Sequence, residues 1–392
     1  MNRSRCRRAG RGAWARWGLA AAVALLWGLG GWPLPAPPEL RGAEYPRING
    51  PCNQEFPRDH GPHQDFKTEW WYYTGNLESA EGRRFGFQIT FFRSRMSPEQ
   101  IQPDPSEPLS GWRTQQIYLA HAALSDLTKG AFHQDERMAR GALDLAGARL
   151  DDDTTRVFLA DWELNLGPEH HRVRATASDF ALELTLLPEK PPVRHGRAGT
   201  SQKGERPESA SCYYSFTRLR ASGRVSEAGV AREVGGSAWM DHEYSSAPLE
   251  PDLVGWDWFS LQLSDRGEVM IYLLRNREGA YTAASAGTLV APSGQVTGLT
   301  RGEIEIETRG TWQSPRTGGR YPARWRITLP GQGLDLLVTP NLADQEMVNE
   351  ESGLPAYWEG SVNIVGTRRG RELTGLGYVE LTGYARAFDA PL

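Results

Sequence analysis

Apolar side chains recur at every second position over much of the chain. Phe85, Phe87, Ile89 and Phe91 alternate with small or polar residues, as do Phe180, Leu182, Leu184 and Leu186. Phe259, Leu261 and Leu263 alternate up to Asp265-Arg266-Gly267, and Val269, Ile271 and Leu273 alternate beyond it, the pattern of a hairpin. Ile304 and Ile306, then Trp325, Ile327 and Leu329, then Leu334, Leu336 and Val338 continue the theme. A period of two buries one face of each strand. No stretch keeps a helical period beyond about three turns; a single short helix is expected over residues 341–352.

So many short strands must hide their edges by closing into barrels or stacking. The chain has 392 residues, and two barrels of roughly 150–200 residues each fit that length. The predicted fold is therefore all-β, with a first antiparallel barrel domain over residues 44–247 and a second over residues 248–392. The division falls at Ala247-Pro248-Leu249-Glu250-Pro251-Asp252. Residues 98–115 and 188–211, rich in Pro, Gly, Ser and charge, read as long loops.

Residues 1–43 differ from the rest. Arg3, Arg5, Arg7, Arg8, Arg11 and Arg16 precede an apolar run from Leu19 to Trp32 and a proline-rich stretch from Pro33 to Pro38. That order is the order of a secretory signal, and the run is short of the roughly 20 residues a membrane span needs. Arg41-Gly42-Ala43 makes a poor cleavage site, so an uncleaved N-terminal anchor stays open beside a cleaved signal. The expected location is periplasmic or secreted. Cys52 and Cys212 follow the signal; they either pair in an oxidising compartment or stay as two buried thiols. A net charge of −4 gives no reason to expect a nucleic-acid partner.

Tryptophan is abundant, with 14 copies, and the aromatics cluster around acids. In His63-Gln64-Asp65-Phe66-Lys67-Thr68-Glu69-Trp70-Trp71-Tyr72-Tyr73-Thr74, a strand would point Glu69, Trp71 and Tyr73 one way and Trp70, Tyr72 and Thr74 the other. An acid among aromatics is costly unless paired, so Glu69 either serves a site or makes a structural Glu–Arg bridge. Trp239-Met240-Asp241-His242-Glu243-Tyr244 sets three consecutive titratable groups between aromatics; alternation pairs Asp241 with Glu243 and His242 with Tyr244. Trp256-Asp257-Trp258 and Tyr357-Trp358-Glu359-Gly360 repeat the theme, and Gly375 to Tyr384 reads as a closing strand. The chain has no Gly-x-Ser-x-Gly and no phosphate-binding glycine loop. Nothing in the spacing of His63, Asp65, His121 and His242 indicates a metal, and no metal or other cofactor is expected.

Three blocks in this order resemble the AttH / carotenoid 1,2-hydratase family: His63-x-Asp65-Phe66-x-x-Glu69-Trp70-Trp71-Tyr72-x-Thr74-Gly75, Trp239-x-Asp241-His242-Glu243, and Gly377-Tyr378-x-Glu380-Leu381-Thr382-Gly383-Tyr384. The similarity covers roughly residues 55–390. It implies two lipocalin-like domains packed together. It also implies either of two functions. One is a hydratase, in which an acid protonates a terminal C=C, aromatic faces stabilise the cation, and water adds with the help of a base. The other is a periplasmic carrier of a hydrophobic ligand that works with an ABC-type permease. In both, the small molecule is isoprenoid or lipid-like. Tyr244 stands where the hydratase pattern carries Trp, which bears on the substrate more than on the fold.

The candidate catalytic residues are Asp241, His242, Glu243, Tyr244 and Glu69. The candidate ligand-binding residues are Trp70, Trp71, Tyr73, Trp239, Trp256, Asp257, Trp258, His63 and His121. Asp241, His242 and Glu243 are expected to form the polar end of an apolar cavity near the interface between the barrels.

Overall fold

The structure is a computed structural model that describes residues 44–99 and 113–388. The N-terminal signal or anchor lies outside the described residues, as does most of the loop expected at 98–115. Strand makes up 59% of the structure and helix 3%, which places the chain among all-β proteins.

Thirteen strands form the first sheet. They are β1 (Thr68–Ser79), β2 (Arg84–Arg95), β3 (Gln116–Asp126), β4 (Ala131–Arg140), β5 (Ala146–Asp151), β6 (Thr154–Leu159), β7 (Trp162–Leu166), β8 (His171–Thr176), β9 (Phe180–Pro188), β10 (Val193–Arg194), β11 (Thr200–Gln202), β12 (Ala210–Glu227) and β13 (Val230–Ser245). The order β4-β3-β2-β1-β13-β12-β9-β8-β7-β6-β5 curls into a nearly closed barrel. The alternating Phe85, Phe87, Ile89 and Phe91 fill its core with Trp71, Tyr73, Leu182, Leu184 and Met240.

Residues 246–252 lead into the second sheet. Its strands are β14 (Leu253–Leu263), β15 (Glu268–Asn276), β16 (Ala286–Val290), β17 (Val296–Thr300), β18 (Glu305–Thr308), β21 (Trp325–Leu329), β22 (Leu334–Pro340), β23 (Glu346–Met347), β24 (Tyr357–Arg368) and β25 (Arg371–Leu381). A separate hairpin, β19 (Thr311–Gln313) and β20 (Arg320–Pro322), lies between β18 and β21 in the chain. The second sheet is a half barrel. Its core holds Phe259, Leu261, Trp325, Ile327, Leu336 and Trp358.

The central strands of the two sheets are buried on both faces. Tyr72, Tyr213, Trp239, Trp258, Met270, Tyr272 and Tyr378 form a third apolar cluster where the sheets meet. Gly86 lets them come close: a Cβ there would stand 2.8 Å from the Cβ of Ser361 and 2.9 Å from the Tyr378 hydroxyl. Ser361 donates to Asn76 at 2.5 Å, and Ser237 donates to Gln262 at 2.7 Å. Glu268 binds Lys190, between β9 and β10, and Arg218 on β12, each at 2.6 Å. Such fully engaged buried groups fix how the sheets register.

Three expectations need correction or completion. Residues 341–352 form bends and the short strand β23 in place of a helix. Their side chains are used as bridges: Glu346 accepts from Thr317 and Tyr321, and Gln345 accepts from Ser125 across the sheets. Residues 188–211 carry β10 and β11, which edge β12. Cys52 and Cys212 are bonded, with Cα atoms 5.7 Å apart, and fasten the segment before β1 to β12.

Candidate functional site

The pairing of β1 with β13 decides where the acidic block points. Trp71 lies opposite His242 and Glu69 opposite Tyr244, while Tyr72 lies opposite Asp241 and Trp70 opposite Glu243. Paired residues share a face and neighbours alternate. The three consecutive titratable groups are therefore split. His242 and Tyr244 turn toward the first barrel with Glu69, Trp71 and Tyr73. Asp241 and Glu243 turn toward the second sheet with Trp70 and Tyr72.

The inward group is a closed polar network. Glu69 is fully buried. Its Oε1 lies 2.8 Å from His63 Nδ1 and 2.9 Å from His242 Nε2, and Arg93 Nε donates to its Oε2 at 2.8 Å. Burial works against the charge, yet His242, His63 and Arg93 hold the carboxyl far below its usual range. His63 also meets Asp59 at 3.2 Å; burial pulls its imidazole down, and the two carboxylates raise it above its ordinary value. His242 Nδ1 meets the Tyr214 hydroxyl at 3.0 Å, and Trp71 stacks on its ring at 4.7 Å. His63, Glu69 and His242 bring ligand-type atoms within 4.8 Å of one another. Each of those atoms already has a partner, and the Arg93 cation occupies the second oxygen of Glu69. The trio fits the structural Glu–Arg bridge better than a metal centre.

Two other expected residues also sit away from the interface. Tyr73 meets His171 at 3.0 Å inside the first barrel. Asp257 points into the second barrel, where it binds Arg275 at 2.5 Å, Tyr281 at 2.6 Å and Tyr384 at 2.9 Å. Its neighbours Trp256 and Trp258, one position away on the pleat, face the other side.

That other side is a cavity of about 520 Å³ between the sheets, walled by Trp70, Tyr72, Phe92, Tyr213, Trp256 and Trp258. Its size falls in the ~300–1,000 Å³ range of small-molecule sites. Five acidic residues line it: Asp241, Glu243, Glu359 and Glu380 from the sheets and Glu250 from the segment that joins them. Asp241 stands on one of two facing rows, and Glu359 and Glu380 stand on the other. On the first sheet, Ser215, Asp241, Tyr72, Thr90, His121 and Glu136 are successive cross-strand partners from β12 to β4. On the second, Trp258, Glu380 and Glu359 are cross-strand partners on β14, β25 and β24.

The four acids carried on strands differ in state. Asp241 accepts from Tyr213 Oη and Trp239 Nε1, each at 2.6 Å, and from Ser215. Burial pushes it up to about 7 despite these donors. Its oxygens are engaged, so it orients Tyr213 and Trp239. Glu243 pairs with Lys203 at 3.0 Å, and that ammonium lies 4.8 Å from the centre of Tyr213 and 4.1 Å from that of Tyr272. Glu359 is fully buried; its Oε1 accepts from Tyr72 Oη at 2.7 Å, and its Oε2 has no partner among the described residues. Burial, then the charge of Glu380, raises Glu359 well above the carboxylate range, with the Tyr72 bond opposing. Burial also raises Glu380, helped by Asp241 and Glu243. Two carboxyls facing each other in an apolar wall share protons, and Glu359 holds its proton to higher pH than a free carboxyl does.

In the sequence Glu359 reads as an acid among aromatics and Glu380 as part of a closing strand, and neither they nor Tyr72 and Tyr213 are among the candidate site residues. The available signal was an acid two positions from a tyrosine, Tyr357 to Glu359 and Tyr378 to Glu380, the same spacing as Glu69 to Trp71. His121 lies behind the cavity wall, 2.8 Å from the hydroxyl of Tyr357.

The AttH-like family model matches residues 47–384. A crystal structure of an AttH from Nitrosomonas europaea is 37% identical, with a TM-score of 0.76 over 86% of this chain and 99% of that one. Kievitone hydratase from Nectria haematococca shares the fold, with 15% identity and a TM-score of 0.67 over 89% of this chain and 98% of that one. No curated protein matches the sequence at a significant level. The chain belongs to the AttH-like family.

Proposed function

We propose that the chain is a hydratase-like enzyme that adds water to a double bond of an apolar, isoprenoid or lipid-like substrate held between the two sheets. The observation that carries this reading is Glu359: a fully buried carboxyl in the cavity wall whose hold on its proton is strengthened by burial and by Glu380, with one oxygen unpartnered among the described residues. A neutral carboxylic acid in an apolar wall is poised as a general acid. Its proton passes to one alkene carbon, and the faces of Trp258, Tyr72 and Trp70 stabilise the tertiary cation left on the other. Water then forms the C–O bond and gives up a proton to a base. Kievitone hydratase is named for hydration, and its fold is this one, so the architecture is compatible with such chemistry.

The bonded Cys52–Cys212 pair supports placement in an oxidising compartment, in keeping with the basic and apolar N-terminal pattern.

The test is incubation of the full chain with geranylgeraniol in ¹⁸O-labelled water, followed by mass spectrometry. The expected product carries one added labelled water, and Glu359→Gln abolishes it. Saturable retention of the alcohol with no conversion would favour a carrier in its place.

A further inference from the structure

The reaction proposed above needs a group that takes a proton from water. We infer that Tyr357 is this base and that His121 and Glu136 are its positioning residues, a phenol–imidazole–carboxylate relay leading from the cavity to the outer strand β4; the inference rests on the hydratase reading.

Tyr357 lines the cavity and stands two positions before Glu359 on β24. Alternate residues of a strand share a face at roughly 7 Å spacing, room for a reacting double bond and a water between acid and base. The Tyr357 hydroxyl lies 2.8 Å from His121 Nδ1, across the boundary between the sheets. His121 is 1% exposed, its ring packs against Phe92 at 5.3 Å, and its Nε2 has no hydrogen-bond partner among the described residues. That nitrogen faces the Glu136 carboxylate across 3.7 Å, too long for a hydrogen bond and close enough for strong attraction to an imidazolium.

Glu136 is fixed in turn. The Ser352 hydroxyl donates to it at 2.8 Å, and the backbone N–H of Glu351 donates to its other oxygen. Burial opposes its charge, but contacts from His121, Ser352 and Glu351 hold the carboxyl down at about 2. A permanent anion on the Nε2 side favours a proton on Nε2 of His121 over one on Nδ1. Nδ1 is then the acceptor, and Tyr357 O–H donates to it.

This polarity leaves the phenol oxygen's lone pairs to the cavity. As water attacks the cation, its O–H bond breaks and its proton joins Tyr357 Oη, while the original phenol proton moves to His121 Nδ1. The imidazolium forms beside Glu136. Glu359 has meanwhile lost its proton to carbon, so acid and base together gain and lose one proton each. The relay resets when the imidazolium proton returns through Tyr357 and Glu359 is reprotonated.

The experiment uses the full chain labelled with ¹⁵N-histidine, read by long-range ¹⁵N–¹H correlation, alongside turnover of geranylgeraniol. Expected is a His121 with its proton on Nε2 and an accepting Nδ1, whose shift moves in Tyr357→Phe. Glu136→Gln, outside the cavity, should place part of the proton on Nδ1. Both variants should lower kcat by about tenfold or more with KM within twofold. A proton on Nδ1 in the unaltered chain overturns the inference. So does full turnover by Tyr357→Phe beside an active parent, an outcome that leaves Glu359 standing as the acid. An inactive parent removes the hydratase reading and the base with it.

Discussion

Glu359 and Glu380 stand directly opposite each other on β24 and β25, and both face the cavity between the sheets. Two carboxylates so placed in an apolar wall repel, and neither can shed its proton as a free acid would. The arrangement is costly for folding and useful for donating a proton at neutral pH, a combination typical of functional sites.

Stability should record that cost as a function of pH. Asp241 rises from an ordinary 3.8 to about 7, and Glu359 and Glu380 shift in the same direction. The folded chain then binds more protons than the unfolded one from the ordinary carboxyl range up to the raised values. The stability these groups contribute is full at low pH and is lost as pH climbs through that window. Glu69 and Asp59 shift the other way and lose their contribution as pH falls below the ordinary range. Urea unfolding from pH 4 to 9 should show a decline toward alkaline pH, and Glu380→Gln should make it shallower. An unchanged slope in that variant would contradict the account.

The inward network should behave as structure. Glu69→Gln leaves the fully buried Arg93 without its carboxylate, a loss of about 3–5 kcal/mol. Calorimetry should show the lower Tm, while turnover per folded molecule stays near that of the parent. A stable variant without turnover would move the site to the other face of β1.

Trp70, Trp256 and Trp258 line the cavity, and Trp71 is buried in the first barrel. Geranylgeraniol should quench fluorescence saturably in the parent. The quench should shrink in Trp258→Phe and persist in Trp71→Phe, though the latter will be less stable. Equal quenching in both variants would place the ligand elsewhere.

Much of this fold is legible in the chain. Phe85, Phe87, Ile89 and Phe91 mark the inner face of β2 by alternation alone, and alternation also separates His242 from Asp241 and Glu243. What alternation cannot say is which face meets what. On β1 and β13 both faces are buried, one in the barrel and one under the second sheet, so Trp70 and Trp71 look alike in the sequence and end in different compartments. The direct opposition of Glu359 and Glu380 depends on the register of β24 with β25, which pattern does not reveal. Residues 341–352 lack a turn-breaking residue at their centre and read as helix, but Glu346 and Gln345 spend their side chains on bridges to other strands.

The central claim is that Glu359 donates the proton. The most direct measurement is kcat for hydration of geranylgeraniol by Glu359→Gln against the parent, with Tm recorded for both. Gln keeps the shape and can accept from Tyr72, and it cannot serve as the acid. The account predicts a fall in kcat of about 100-fold or more, with Tm equal to or above that of the parent because the cost of holding a buried acid protonated above the ordinary carboxyl range is gone. A variant that turns over at the parental rate would contradict it.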